Sequence, residues 1–177
     1  YSLLSEKGIN ELVLIDMNKD KAIGEQMDLS DGHPYADSKM SIKAGEYDEC
    51  GDADIVVITA GAAQKPGQTR LELVGINARI TKDVATQVKN AGFKGILVVA
   101  SNPVDIMTYV AYKASGLPKE HVIGSGTILD TARLRYNISK RLGMAPSNVH
   151  AYILGEHGDS SFVPWIHCYL GCKNLLE

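Results

Sequence analysis

Short apolar runs alternate with longer amphipathic segments along most of the chain. Four runs rich in β-branched residues predict buried strands, over residues 11–16, 54–60, 95–101 and 121–124. Four segments carry apolar residues at helical spacing and predict helices, over residues 20–29, 70–91, 104–115 and 128–142. This alternation predicts an α/β fold with a doubly wound parallel sheet. Ligands bind such sheets beyond the carboxyl ends of the strands, where Asp16, Gly61, Asn102 and Ser125 fall.

Composition narrows the class of protein. The 177 residues carry a formal charge of −3, with 22% charged and 45% hydrophobic residues, and lack the basic excess of a nucleic-acid binder. The apolar runs are too short to span a bilayer and no signal-peptide pattern opens the chain, so we expect a cytoplasmic protein. Cys50, Cys168 and Cys172 form no CxxC pair, which favours reduced thiols and no metal site.

Asp16 is the first residue with a ligand-binding interpretation. An acid at the end of a strand can accept hydrogen bonds from both ribose hydroxyls of an adenosine and repels a 2′-phosphate, which favours NAD over NADP. A turn or N-cap role is the alternative. The glycine-rich phosphate loop, expected some 20 residues earlier, is not in the chain, so we expect an N-terminally truncated nucleotide-binding fold. Gly124-Ser125-Gly126 lacks the third glycine and predicts a strand-to-helix turn.

Three more groups of polar residues lie at predicted element ends. Loop 61–70 contains Gly and Pro and carries Arg70 to the start of a helix, which predicts a lid; a solvated surface loop is the alternative. Asp130 and Arg133 share one face of a helix, where an intrahelical salt bridge is the alternative. His157 lies between glycines 155 and 158, which predict a tight turn, and with Asn102 these side chains predict one site.

Five segments resemble the lactate/malate dehydrogenase family, most closely its bacterial L-lactate dehydrogenase branch: residues 13–17, 59–73, 99–105, 126–133 and 154–159. The Asp-x-x-Arg at 130–133 and the Gly-Glu-His-Gly-Asp at 155–159 are the most specific of them. The resemblance implies a partial NAD-binding domain of the Rossmann type over residues 1–124, followed by the start of an α+β catalytic domain over 125–177. It also implies that the phosphate loop and a large C-terminal part of the family fold lie outside these residues.

The resemblance implies reversible hydride transfer between NADH and pyruvate, giving L-lactate. His157 would give a proton to the 2-oxo acid carbonyl and take it back in reverse. Asp130 would stabilise the imidazolium and fix its orientation. Arg70 would polarise the carbonyl when the lid closes, and Arg133 would hold the substrate carboxylate through a two-pronged bond. The substrate contacts implied by the resemblance are Gln64, Arg70, Asn102, Asp105 and Arg133.

The same resemblance implies details of specificity and cofactor binding. Malate dehydrogenases carry arginine where this chain has Gln64, so the neutral side chain favours pyruvate over oxaloacetate. A malate or branched 2-hydroxy acid dehydrogenase stays open as an alternative. We expect the Asn102-Pro103 peptide to be cis. The implied NAD contacts are Asp16, Lys21, Tyr47, Gly61, Ala62, Ala100, Asn102 and Ser125.

Regulation and assembly also follow from the resemblance. Arg135 and His150 match positions that bind fructose 1,6-bisphosphate in allosteric bacterial enzymes, and an exposed helix arginine with a loop histidine is the alternative. The family implies a homotetramer in fermentative glycolysis.

Other classes of function fit less well. A Ser160-His157-Asp130 hydrolase lacks a Gly-x-Ser-x-Gly elbow, and a zinc site at His150 and His157 lacks HExxH spacing. A nucleotide-binding fragment without activity is the stronger competitor.

Overall fold

The computed structural model describes residues 1–63 and 66–177, with the backbone only at Arg70. The chain divides into two compact units, the first made of Tyr1–Asp54 and Gln87–Lys94, the second of Ile55–Thr86 and Gly95–Glu177. Within the described ranges, no helix is long and apolar enough to cross a membrane.

The first unit contains a strand–helix–strand arrangement. Strands β1 (Glu11–Leu14) and β2 (Ser41–Ala44) pair in parallel, and helix α1 (Lys19–Gly32) connects them. Asn18 caps α1, because its side chain accepts the main-chain N–H of Lys21 in the first turn. The buried core of this unit is formed by Leu4, Leu29 and Met40.

The second unit contains a parallel three-stranded sheet. Its order is β3 (Ile55–Ile58), β4 (Ile96–Val99), β5 (Val122–Gly124), with β4 in the middle. Helix α2 (Arg70–Asn90) follows β3 and helix α3 (Val104–Ser115) follows β4. The side chains of Leu97, Val99 and Met107 are fully buried. Each strand therefore ends in a loop that leads into a helix, at the edge where such sheets bind ligands.

The C-terminal part of the second unit changes to antiparallel pairing. Helix α4 (Ile128–Leu142) follows β5, and three two-residue strands, β6 (Val149–His150), β7 (Tyr169–Leu170) and β8 (Lys173–Asn174), form a small antiparallel sheet. α4 contributes Leu134 and Ile138 to the core around Val149, Ala151 and Cys168.

The predicted fold class is confirmed, as are all four predicted helices and strands β1, β3, β4 and β5, within a few residues at each end. Strand β2 and the antiparallel sheet were not predicted. Gly124-Ser125-Gly126 is the predicted strand-to-helix turn, since β5 ends at Gly124 and α4 begins at Ile128. A side chain at Gly124 would lie 2.5 Å from Thr108 Oγ1, so the close contact of β5 with α3 requires glycine there.

Candidate active site

His157 and Asp130 form a hydrogen-bonded pair in the second unit. The imidazole Nδ1 lies 2.6 Å from Asp130 Oδ2, and the side chains are 31% and 23% exposed. Asp130 lies in the first turn of α4, and no ion pair joins it to Arg133 among the described residues. A carboxylate only accepts hydrogen bonds, so Nδ1 carries the proton and Nε2 is the nitrogen left for a reacting group. The intrahelical salt bridge is therefore not the role of Asp130.

The loop that carries His157 is closed on itself and tied to α4. Leu154 and Phe162 exchange main-chain hydrogen bonds of 2.9 and 3.0 Å across its base. Gly155 has φ +93°, a conformation that side chains rarely adopt, whereas Gly158 has an ordinary backbone conformation. The predicted turn thus depends on Gly155 alone.

Two threonines of α4 and its N-cap hold the strand-like segment before this loop. Thr127 Oγ1 donates to the Ile153 carbonyl at 2.6 Å, and the Ile153 N–H donates to Thr131 Oγ1 at 3.0 Å. Sequence reasoning missed both threonines. Because Thr131 is next to Asp130, this clamp fixes the segment leading to His157 against the helix turn that carries its partner.

A second carboxylate contacts His157 at the main chain. Asp105, in the first turn of α3, accepts the His157 N–H at 2.9 Å through Oδ2. Asp105 thereby joins the start of α3 to the loop of His157, 52 residues later in the chain. Asp105 was expected from the resemblance as a substrate contact, and this hydrogen bond gives it a further contact that the sequence did not suggest.

Asn102 lies in the loop between β4 and α3, and the predicted cis peptide to Pro103 is confirmed. Its carbonyl accepts a 3.0 Å hydrogen bond from the side-chain amide of Asn77, a residue of α2 that sequence reasoning missed. Asn77 Oδ1 in turn accepts the Ala62 N–H at 2.8 Å. A polar residue in the middle of an amphipathic helix, flanked by apolar positions, was the signal that could have found it.

The cofactor-contact candidates of the first unit lie at strand ends. Asp16 follows β1 and accepts the Asn18 N–H at 2.9 Å, while Lys21 Nζ lies 3.4 Å from its other oxygen. The Asn18 hydrogen bond, helped by Lys21, holds the pKa of the Asp16 carboxyl below its ordinary value. Asp16 is therefore an ionised acceptor at neutral pH. Tyr47 opens a 3-10 helix, Tyr47–Asp52, shortly after β2.

Residues 1–124 match the family model of the lactate/malate dehydrogenase NAD binding domain, and residues 127–176 match that of its alpha/beta C-terminal domain. The chain belongs to the lactate/malate dehydrogenase family.

Individual relatives agree with this membership. The chain is 54% identical over all 177 residues to L-lactate dehydrogenase 2 of Enterococcus faecalis. A lactate dehydrogenase from a Medee basin deep-sea metagenome library is 54% identical with a TM-score of 0.96, and the ligand-bound minor L-lactate dehydrogenase of Enterococcus mundtii is 50% identical with a TM-score of 0.96. Each structure covers 99% of this chain. The chain spans 56% of the length of each of these relatives.

Two of the substrate contacts that the resemblance implies belong to loop 61–70, which the sequence predicts to be a lid. Gln64 lies outside the described residues, as does the side chain of Arg70. The start of α2 at Arg70 is set by a capping box, in which Thr69 Oγ1 accepts the Glu72 N–H at 3.2 Å and Glu72 accepts the Thr69 N–H at 3.0 Å. The third position, Arg133, is exposed on α4 one turn after Asp130.

The remaining residues that the resemblance implies as NAD contacts border the three-stranded sheet. Gly61 and Ala62 lie shortly after β3, Ala100 directly follows β4, and Ser125 directly follows β5. Ala100 donates its N–H to the Ile58 carbonyl and Ser125 donates to the Val99 carbonyl, so the strand pairing continues into these residues. All four lie at the carboxyl edge of the sheet.

The two candidate regulatory residues belong to α4 and β6, and Arg135 contacts the residue that follows His150. Arg135 Nε donates to the carbonyl of Ala151 at 2.9 Å, and Ala151 directly follows His150 in β6. The guanidinium also lies 4.5 Å from the ring centroid of Tyr152. His150 is exposed. Arg135 is therefore held by the segment that carries His150.

Proposed function

We propose that the protein to which this chain belongs is an L-lactate dehydrogenase, which reduces pyruvate to L-lactate with NADH and catalyses the reverse reaction. The observation that carries the proposal is the His157–Asp130 pair, a proton donor and acceptor held at 2.6 Å by a carboxylate on a neighbouring helix. Identity of 54% over the whole chain to an L-lactate dehydrogenase supports this substrate class.

The residues of the first unit fit a dinucleotide. Asp16 is an ionised carboxylate beyond the carboxyl end of a parallel strand, the hydrogen-bond acceptor to which both hydroxyls of a ribose diol can donate. The nicotinamide held by these residues would supply the hydride acceptor for the alcohol and, in its reduced form, the hydride donor for the carbonyl. Lys21, Tyr47, Gly61, Ala62, Ala100, Asn102 and Ser125 would complete the NAD contacts.

Each catalytic role is then assigned to a residue of the second unit. His157 would transfer the proton through Nε2, because Nδ1 is bound to Asp130. Arg133 would bind the substrate carboxylate, with Asn102 and Asp105 beside the reacting carbonyl. Arg70 and Gln64 would reach the substrate when the lid closes.

The experiment that tests this function is NADH oxidation by the purified protein, with pyruvate and oxaloacetate assayed in parallel. Faster turnover of pyruvate is the expected result. Preference for oxaloacetate would make the protein a malate dehydrogenase, and preference for a branched 2-oxo acid would assign it to that class. NADH binding without turnover would support a nucleotide-binding protein without this activity.

Substitution of Gln64 tests the basis of specificity. Gln64→Arg is expected to shift the oxaloacetate-to-pyruvate ratio of kcat/KM by at least about 10-fold towards oxaloacetate, because the added cation pairs with the second carboxylate. Gln68→Arg in the same loop is the matched control. An unchanged ratio in Gln64→Arg would contradict the assignment of residue 64.

Regulation and assembly form the finer part of the proposal. Arg135 and His150 would bind fructose 1,6-bisphosphate, with cations from two subunits of a homotetramer meeting one phosphate. The Arg135 bond to Ala151, next to His150, supports a joint site. Activation by the sugar phosphate that is lost in His150→Ala is the expected result. We also propose the domain boundary at residues 124/125, which the two family models, ending at 124 and starting at 127, support.

A further inference from the structure

Asn77 is a buried polar residue whose contacts lie at two loops of the candidate site. Its residue surface is 4% exposed, in the middle of α2. Its Oδ1 accepts the N–H of Ala62 at 2.8 Å and its Nδ2 donates to the carbonyl of Asn102 at 3.0 Å. One side chain thus bonds the loop after β3 and the loop after β4.

The chemistry of these two bonds selects an amide. Ala62 offers a donor and Asn102 offers an acceptor, so the bridging side chain must accept at one end and donate at the other. A carboxylate lacks the donor, and a hydroxyl is too short to contact both loops. An apolar side chain would leave both main-chain groups without a partner in a buried place, which is unfavourable.

We propose that Asn77 is a positioning residue that sets the distance between the loop of Ala62 and the loop of Asn102. The inference rests on the proposed function, in which Ala62 contacts NAD and Asn102 contacts both NAD and the substrate. The two hydrogen bonds of Asn77 go to main-chain groups of these loops. Its effect on the reaction passes through the main chain of Asn102, on which the direction of the Asn102 side chain depends.

Ser101 forms a second side-chain link between the ends of β3 and β4. Its hydroxyl lies 2.6 Å from the Ala60 carbonyl and is buried, so the ends of β3 and β4 are already joined by a side chain before the two loops diverge. Asn77 continues this joint two residues further after β3, at Ala62, and one residue further after β4, at Asn102. The two loops therefore leave the sheet as one braced pair.

Two variants separate the two hydrogen bonds. Asn77→Asp keeps the acceptor for Ala62 but turns a carboxylate oxygen towards the Asn102 carbonyl, which repels it. Asn77→Leu removes both bonds while keeping the same number and branching of side-chain heavy atoms. Thr81→Val is the matched control, because Thr81 lies one turn later in α2, is fully buried, and donates to Met107 Sδ rather than to either loop.

The expected results differ between these variants. In Asn77→Asp, kcat/KM for pyruvate falls on the order of 10- to 100-fold while the dissociation constant of NADH stays within about threefold. In Asn77→Leu, kcat/KM for pyruvate falls and the dissociation constant of NADH rises. In Thr81→Val neither quantity changes, even if the melting temperature falls. Equal effects on activity in Thr81→Val and Asn77→Asp would overturn the proposal, because Asn77 would then be an ordinary core residue.

A readout without turnover keeps this inference separate from the proposed function. Hydrogen exchange of the Ala62 amide is expected to be slow in the wild type and in Asn77→Asp, and faster in Asn77→Leu. Unchanged hydrogen exchange of the Ala62 amide in Asn77→Leu would overturn the proposed positioning role of Asn77. If the wild type turns over no 2-oxo acid but the exchange pattern is as expected, the proposed function is wrong, while the link that Asn77 forms between the two loops is confirmed.

Discussion

Asp130 is the residue whose charge bears most directly on His157. Its carboxylate lies 2.6 Å from Nδ1, so in the proposed reaction Nε2 would be the transferring nitrogen. The sequence offered two roles for this acid, a partner of Arg133 or of a distant histidine. The turn at Gly155 decided between them, because it returns His157 to the start of α4.

Asp130→Asn tests this pairing. An amide cannot stabilise the imidazolium and favours the wrong tautomer, so kcat for pyruvate is expected to fall on the order of 100-fold, with NADH affinity unchanged. Steady-state kinetics and an NADH fluorescence titration measure the two effects. Asp159→Asn, an exposed acid of the same loop, is the control. A variant within threefold of the wild type would remove Asp130 from the mechanism.

At the scale of elements, β5 and α3 approach one another closely. A side chain at Gly124 would lie 2.5 Å from Thr108 Oγ1, and that hydroxyl is already bonded to the Val104 carbonyl at 2.6 Å. The loop of Ser125 and the start of α4 both follow this contact in the chain. The position of Asp130 therefore depends on how closely β5 approaches α3.

Gly124→Ala is expected to lower the free energy of unfolding by about 1–3 kcal/mol, because the added methyl group overpacks the contact. Gly75→Ala, in α2, is the control: its Cβ would meet nothing within 4 Å, so the helix should gain about 0.5–1 kcal/mol. Chemical denaturation of both variants measures the difference. Equal stability of the two variants would contradict the close approach.

The elements that the sequence predicted are those with strong patterns of their own. The strands rich in Ile and Val and the four helices satisfy their local preferences. β2 has one large apolar residue, Ile42, and is a strand because it pairs with β1 and because Lys43 bonds Glu11 and Glu49. The strands β6 to β8 are two residues long, too short for any periodicity, and form because the core around Val149 and Cys168 holds them.

The residues of the candidate site likewise include some that the sequence indicated and others that it did not. Its charged members were visible in the sequence because Asp, Arg and His at element ends are unusual without a function. Asn77, Thr127 and Thr131 were not visible, because their roles are hydrogen bonds to main-chain groups that only the folded chain brings near. Side chains that act on the backbone leave little trace in a sequence.

At the scale of the whole molecule, the residues proposed for cofactor choice and those proposed for proton transfer belong to different units. Asp16, Lys21 and Tyr47 belong to the first unit, while the His157–Asp130 pair belongs to the second. We therefore expect cofactor choice and proton transfer to change independently.

Asp16→Ser tests this independence. Removing the carboxylate is expected to raise the dissociation constant of NADH about 10-fold and to lower the preference for NADH over NADPH, while kcat at saturating NADH stays near the wild type. The low pKa of Asp16 keeps it ionised as the pH falls, so wild-type NADH affinity should hold down to about pH 5. Asp20→Ser, in the first turn of α1, is the control. Unchanged cofactor preference in Asp16→Ser would contradict the role of Asp16.

The histidine loop is fastened at two different atoms. Asp130 holds the ring of His157 and Asp105 holds its main-chain N–H, each through a carboxylate at 2.6 and 2.9 Å. A ring held in this way would need little movement in the proton transfers of the proposed reaction. Oxidation and reduction would then use the same arrangement of atoms, with direction set by the concentrations of the 2-oxo acid, the 2-hydroxy acid, both cofactor forms and protons.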